Sequence, residues 1–288
     1  MAEIRIGFIG GSGLYDVEGL DNPRQVTVDT PFGDPSDSIL LGSIGSIDVA
    51  FLPRHGKGHR ISPSEIPARA NIYALKTLGV SRIVALSAVG SLKEELKPLD
   101  LVIPDQIIDR TKGRPATFFG DGVVAHVGFA DPFCPELSSV ASEAAASERV
   151  TCHTGGAYLV IEGPQFSTRA ESDMYRSWGA SVIGMTALPE AKLAREAEIC
   201  YTTLAFVTDY DVWRRGEDEV SVEMIVANLT RNADSAQRIM AKISAQVPRQ
   251  RGCACGSALK NAIITNSDSI TAEAKERLGI LVEHYLAT

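Results

Sequence analysis

Cys200-Tyr201-Thr202-Thr203-Leu204-Ala205-Phe206-Val207 runs directly into Thr208-Asp209-Tyr210-Asp211. The first eight residues are apolar or β-branched and bounded by polar chain, which predicts a buried strand rather than a helix. Two carboxylates therefore stand at the carboxyl end of a strand. Working outward, a helix is expected over 187–197, a short strand over 181–184, a helix over 169–178 ended by Gly179, and a strand over 154–162. Downstream, 220–247 reads as one long helical region. Strands and helices alternate, which is the pattern of an α/β domain.

The first half supplies more strand ends. Residues 4–9 form an apolar run ending in Gly10-Gly11-Ser12-Gly13, where glycines let backbone N–H groups approach an anion and Ser12 adds a donor. A dinucleotide fingerprint fails there, because Asp16 occupies the place of its third glycine. Strands are expected at 26–29, 38–43 and 47–52, the last ending in Pro53-Arg54-His55-Gly56. Arg54 offers a planar fork of donors and His55 another donor beside it. A polar loop at 58–64 precedes a helix at 67–78, closed by Gly79. A strand at 82–88 leads into Ser87-Ala88-Val89-Gly90-Ser91, and a further strand is expected at 101–108. Beyond a polar loop at 109–122 and the isolated His126 lies a helix at 137–148. Near the C-terminus, 248–257 is the candidate linker and 271–285 a last helix.

Composition narrows the function. With 288 residues, 44% of them hydrophobic, the chain can bury a full core as one large domain. A formal charge of −8 argues against nucleic acid or an anionic membrane surface as partner, so any anion must be held locally. No signal peptide or membrane-length apolar run is present, and a soluble cytoplasmic protein is expected. The His and Cys spacings fit no metal-ligand set, and five scattered cysteines do not make a secreted disulfide framework. The segment from Gly163-Pro164-Gln165-Phe166-Ser167 through Gly184-Met185-Thr186 to Asp211 instead suits a bound nucleoside. Phe166 offers a ring to a base, Met185 and Thr186 cover a sugar and an anion, and Asp209 and Asp211 can hydrogen-bond a base edge.

Taken together, Gly10-Gly11-Ser12-Gly13-Leu14, Pro53-Arg54-His55-Gly56, Glu162-Gly163-Pro164-Gln165-Phe166-Ser167, Gly184-Met185-Thr186 and Thr208-Asp209-Tyr210-Asp211 resemble the purine nucleoside phosphorylase family, most closely its methylthioadenosine-cleaving branch. The likeness runs from about residue 4 to residue 245. It implies a single α/β domain with a mixed, partly barrel-like central sheet flanked by helices. The phosphorylase part would span 1–247, with 248–288 a C-terminal Cys-x-Cys segment and helix of the same domain. It also implies a homotrimer or homohexamer. Phosphate, a co-substrate with no further cofactor, would be held by Ser12, Arg54, His55, Ser87, the backbone of Ala88, and Thr186. Met185 would lie against ribose, Phe166 and Ser167 near the base, and Asp209 and Asp211 would be the catalytic carboxylates. His126 would reach the 5′ side of a neighbouring subunit's substrate.

The expected reaction is phosphorolysis of S-methyl-5′-thioadenosine to adenine and 5-methylthioribose 1-phosphate. An acidic side chain favours a 6-amino purine, because it can accept from that group. Val222, Ile225 and Val226 stand at helical spacing, with Val222 at the position this family uses for 5′ specificity. Apolar groups there suit a methylthio substituent. The alternative within the same fold is a phosphorylase of 6-oxopurine nucleosides, and Gly184, where relatives often carry Asn, leaves it open. Cys253-Ala254-Cys255 is similar to the C-terminal Cys-x-Cys of heat-adapted members, where it is oxidised or helps exchange disulfides. By the same resemblance Cys134 and Cys200 are candidates for an internal disulfide.

Overall fold

A computed structural model describes residues 5–11, 17, 19–214 and 222–286, the side chains of 222–225 excepted. Its centre is an eleven-stranded mixed sheet. The parallel heart is β1 (Arg5–Gly10), β4 (Ile47–Pro53), β5 (Val80–Ser91) and β11 (Cys200–Asp209). β2 (Asp21–Val26) and β3 (Ile39–Ile44) extend one side antiparallel beyond β4. The twelve-residue β5 is the fork: β1 and β11 flank it in parallel, and β10 (Ala180–Gly184) joins its end antiparallel. β9 (Ala157–Ile161) and β7 (Gln106–Arg110) continue beyond β10, while β6 (Leu101–Ile103) and β8 (Cys152–Thr154) continue beyond β11.

Side-chain alternation builds the layers. Ile6 and Phe8 of β1, Val49 and Phe51 of β4, Val84 and Leu86 of β5, and Leu204 and Phe206 of β11 all enter one core. That core is covered by α2 (Pro135–Ser147) and α5 (Val222–Gln246). Their sequence neighbours Ile9, Ala50, Leu52, Ile83, Ala85, Ala205 and Val207 point to the opposite face, as the two-residue strand period requires. There they meet α1 (Ala68–Thr77), α4 (Ala187–Glu196) and α6 (Ala272–Leu278). Burial on both faces explains why these strands read as nearly continuous apolar runs. α3 (Arg169–Ser177) places Tyr175 in a smaller third cluster, and α7 (Glu283–Leu286) ends the described chain.

Four expected elements fall differently. The first edge strand is Asp21–Val26 rather than 26–29; it is exposed and contains Pro23, which an edge strand tolerates. The strand expected over 101–108 breaks into β6 and β7 at Pro104, which has no N–H to donate. The strand over 154–162 breaks at Gly155 and Gly156, both at positive φ. Gly279, at φ 44°, ends α6 and divides the helix expected over 271–285. The fold also gathers the sulfurs of Cys134, Cys200, Cys253 and Cys255 within 4.8 Å of one another, all as thiols, a proximity that no spacing along the chain suggests. Among the described residues no helix is long and apolar enough to cross a membrane.

Candidate active site

Register brings the polar and glycine-bearing turns to one place. Gly10 lies opposite Pro53, Ile9 opposite Ala85, Ala205 opposite Ser87, and Asp209 opposite Gly90. β10 arrives from the other direction with Ile183 opposite Gly90, delivering Gly184-Met185-Thr186 to the same strand ends. Here opens a cavity of about 280 Å³. Arg54, His55, Ser87, Ala88 and Thr186 line it, together with Phe166, Ser167, Met185, Asp209 and Asp211. Ser12 lies outside the described residues, although Gly11 beside it borders the cavity. Val222 and Ile225 fall in the first turn of α5 with side chains outside the description. Val226 is 53% exposed, and His126 is an exposed residue bonded through its backbone N–H to the Ala262 carbonyl, away from the cavity lining.

One end of the cavity gathers hydrogen-bond donors. Arg54 is 1% exposed, and its Nε and Nη2 donate to the two Glu190 oxygens at 2.9 and 3.0 Å. Nη1 donates to the Leu86 carbonyl at 2.9 Å. Three of its five N–H groups are thus used, leaving one on each terminal nitrogen. Burial opposes the guanidinium charge, yet the Glu190 carboxylate more than offsets this and raises the Arg54 pKa. Gly11 is required at the approach: a Cβ there would lie 2.6 Å from the Leu86 carbonyl oxygen. Ser87 and Thr186 pair through their hydroxyls at 3.1 Å.

His55 is buried, with Nδ1 2.8 Å from the Ile61 carbonyl, so Nδ1 carries the proton. Burial, followed by the Arg54 charge, pushes its pKa down to about 4, and the ring is neutral near pH 7. Its Nε2 is then an acceptor rather than the second donor expected beside Arg54. His59 stacks on it with ring centroids 4.3 Å apart and also lines the cavity.

The other end carries the carboxylates. Asp209 accepts from the Thr208 hydroxyl at 2.7 Å and from the Asp211 backbone N–H at 2.7 Å. Burial outweighs both bonds and raises its pKa. Asp211 accepts from the Ser172 hydroxyl; burial pushes its pKa up to about 6, with the Asp209 charge adding to the rise. Gly90 leaves room for this pair, since a Cβ on it would lie 3.0 Å from Asp209 Oδ1. Met185 Sδ presses on Gly163, where a Cβ would lie 2.5 Å away. The Ser167 hydroxyl is buried at the cavity with no partner within the protein, which marks it for a ligand contact. Phe166 leaves half its ring exposed at the rim.

Several contributors escaped the sequence reading. Glu190 had one available signal, an acid on the same helical face as Ala191 and Ala194, both buried. Arg114, in a loop, donates to the carbonyls of Met185 and Leu188 at 2.7 and 2.8 Å and to Glu162 Oε2 at 3.1 Å. It thereby fixes the backbone on both sides of Thr186. Tyr158 fills the space next to Gly184, where a Cβ would lie 2.3 Å from its Oη. None of these has a motif, because each acts across the sheet.

The model of the phosphorylase superfamily matches residues 5–245. A protein named S-methyl-5′-thioadenosine phosphorylase from Koribacter versatilis (strain Ellin345) is 55% identical over 98% of this chain and 97% of its own length. The crystal structure of a methylthioadenosine phosphorylase from an Antarctic soil metagenomic library is 53% identical, with a TM-score of 0.92 over 97% of this chain and 99% of that one. A methylthioadenosine phosphorylase from Schistosoma mansoni, solved with adenine, is 36% identical with a TM-score of 0.82, covering 90% of this chain and 96% of that one. With that match over most of its length and with relatives of this identity and architecture, this chain belongs to the phosphorylase superfamily.

Proposed function

We propose that the chain catalyses phosphorolysis of S-methyl-5′-thioadenosine to adenine and 5-methylthioribose 1-phosphate. The observation that carries this reading is the spacing along β5. Arg54 is anchored at Leu86 and Asp209 packs at Gly90, so the anion and carboxylate ends lie four residues, or about 13 Å, apart along one strand. That distance accommodates a phosphate, a pentose and a purine in line.

The two remaining Arg54 N–H groups, the Ser87 and Thr186 hydroxyls and the Ala88 backbone hold phosphate, with Ser12 completing the set. His55 Nε2 accepts a hydrogen bond from the hydroxyl of a monohydrogen phosphate. Fixed below C1′, the phosphate stabilises the cationic sugar as the glycosidic bond stretches and then adds to it. Met185 covers the ribose. Asp209, whose pKa burial raises, carries a proton to the departing purine N7, while Asp211 accepts from the 6-amino group. The start of α5, with Val222, Ile225 and Val226, supplies the apolar 5′ wall.

His126 serves a neighbouring subunit in a homotrimer or homohexamer. Supporting this, Val124 and Ile264 are exposed by 45% and 64% beside it, an apolar surface suited to burial between copies. Residues 248–288 belong to the same domain, a reading supported by Leu259, Ala262, Ile270 and Leu278 sharing a core with Ile9 and Ile83. The reaction needs phosphate as co-substrate and no other cofactor, and its place is the cytoplasm.

The test is purine release from methylthioadenosine, adenosine, methylthioinosine and inosine, each with and without phosphate. Phosphate-dependent adenine release, fastest from methylthioadenosine, is expected. Preference for the inosine pair would replace this reading by a 6-oxopurine enzyme, and release without phosphate would make it a hydrolase.

A further inference from the structure

We propose that Cys134, Cys200, Cys253 and Cys255 form a tetrathiolate site that binds one zinc ion and clamps the segment after α5 onto the start of β11. The four Sγ atoms come from three separate parts of the chain and lie within 4.8 Å of one another. Tetrahedral zinc with Zn–S bonds of about 2.3 Å needs sulfurs about 3.8 Å apart, and Cys200 and Cys253 are already at 3.3 Å. Four soft ligands arranged around one point fit zinc better than a hard cation.

The surroundings are built to hold thiolates in place. Cys134 caps the N-terminus of α2, where its sulfur accepts from the Leu137 N–H at 3.5 Å and gains from the helix dipole. The Cys134 backbone N–H donates to the Tyr201 carbonyl at 2.8 Å, tying the first two ligands together. On the other strap, Gly252 N–H donates to Glu136 Oε2 at 2.6 Å and Arg251 Nη1 to the Glu198 carbonyl at 2.8 Å. Arg251 also packs its guanidinium against Gly256, next in sequence to Cys255. Cys134, Cys200 and Cys255 are buried, whereas Cys253 and Cys255 border a separate cavity of about 760 Å³ that gives an ion a way in.

Binding is not a redox step. Zn²⁺ replaces the thiol protons, at most four per ion, and leaves a centre of formal charge −2. Disulfides between the same cysteines would instead require removal of two electrons per bond by an oxidant.

The full-length protein, expressed with zinc in the medium and purified without chelator, is assayed for metal by mass spectrometry and for thiols with Ellman's reagent. One zinc per chain is expected. The four cluster thiols stay unreactive until a chelator strips the ion. The Cys253→Ser/Cys255→Ser variant should lose the zinc, while Cys152→Ser, outside the cluster, should keep it. Metal-free protein with all five thiols titratable, metal-free protein with disulfides on non-reducing mass analysis, or zinc retained by the double variant would each overturn the proposal.

Discussion

Arg54 and Glu190 form a two-point ion pair, at 2.9 and 3.0 Å, between side chains exposed by 1% and 3%. Removing one member of such a pair strands the other charge in a dry interior. Glu190→Gln is therefore expected to destabilise the protein by about 3 kcal/mol. Phosphate, which compensates the stranded guanidinium, should raise the melting temperature of this variant more than that of the parent protein. An equal phosphate effect in both would show that Arg54 does not meet the anion.

Tyr158 and Gly184 share one volume, with 2.3 Å between the hydroxyl oxygen and an added Cβ. Gly184→Ala should cost about 1–3 kcal/mol by overpacking. Shortening the partner with Tyr158→Phe removes the closest atom, so the alanine penalty should shrink in that background. A double-mutant cycle from denaturant unfolding measures this coupling, and strict additivity would contradict it.

Under the proposed mechanism Asp209 donates a proton and Asp211 accepts a hydrogen bond, so the two should respond differently to pH. With the Asp211 pKa near 6, kcat/KM for methylthioadenosine should fall as pH drops below about 6, because the 6-amino group then loses its charged, stronger acceptor. Asp211→Asn should lose this acid limb. Asp209→Asn should lower kcat about 10²- to 10⁴-fold, the range for a lost proton donor. A pH–rate profile of each variant decides both.

His55 should make the fold acid-sensitive. Its folded pKa, about 4, lies below the ordinary 6.5, so between those values the unfolded chain binds the extra proton and stability falls as pH falls. The full effect is on the order of 3 kcal/mol, reached near pH 4. Asp211 acts oppositely between about pH 4 and 6, where the folded state holds the extra proton, so the comparison must be with His55→Gln. Urea unfolding between pH 4 and 7 should show a shallower slope for that variant.

Much of this was legible in the chain. β1, β4, β5 and β11 announced themselves because both of their faces are buried, and their polar ends, Arg54, Ser87 and Asp209, followed at once. The breaks within expected elements, at Pro104 and at Gly155 and Gly156, were also written in residues that cannot continue a ladder. What misled was treating them as tolerated inside a longer strand.

The sequence by itself determined the α/β alternation and the polar residues at the strand ends, Arg54, Ser87 and Asp209, in their order, because apolar periodicity and turn chemistry are local properties. Only the tertiary structure decided that Glu190 grips Arg54 from 136 residues away, that Tyr158 occupies the room Gly184 vacates, and that four distant cysteines share one point. Such pairings depend on strand register and on which helix covers which face. No spacing along the chain encodes them, since burial removes water as an alternative partner only after the layers have closed.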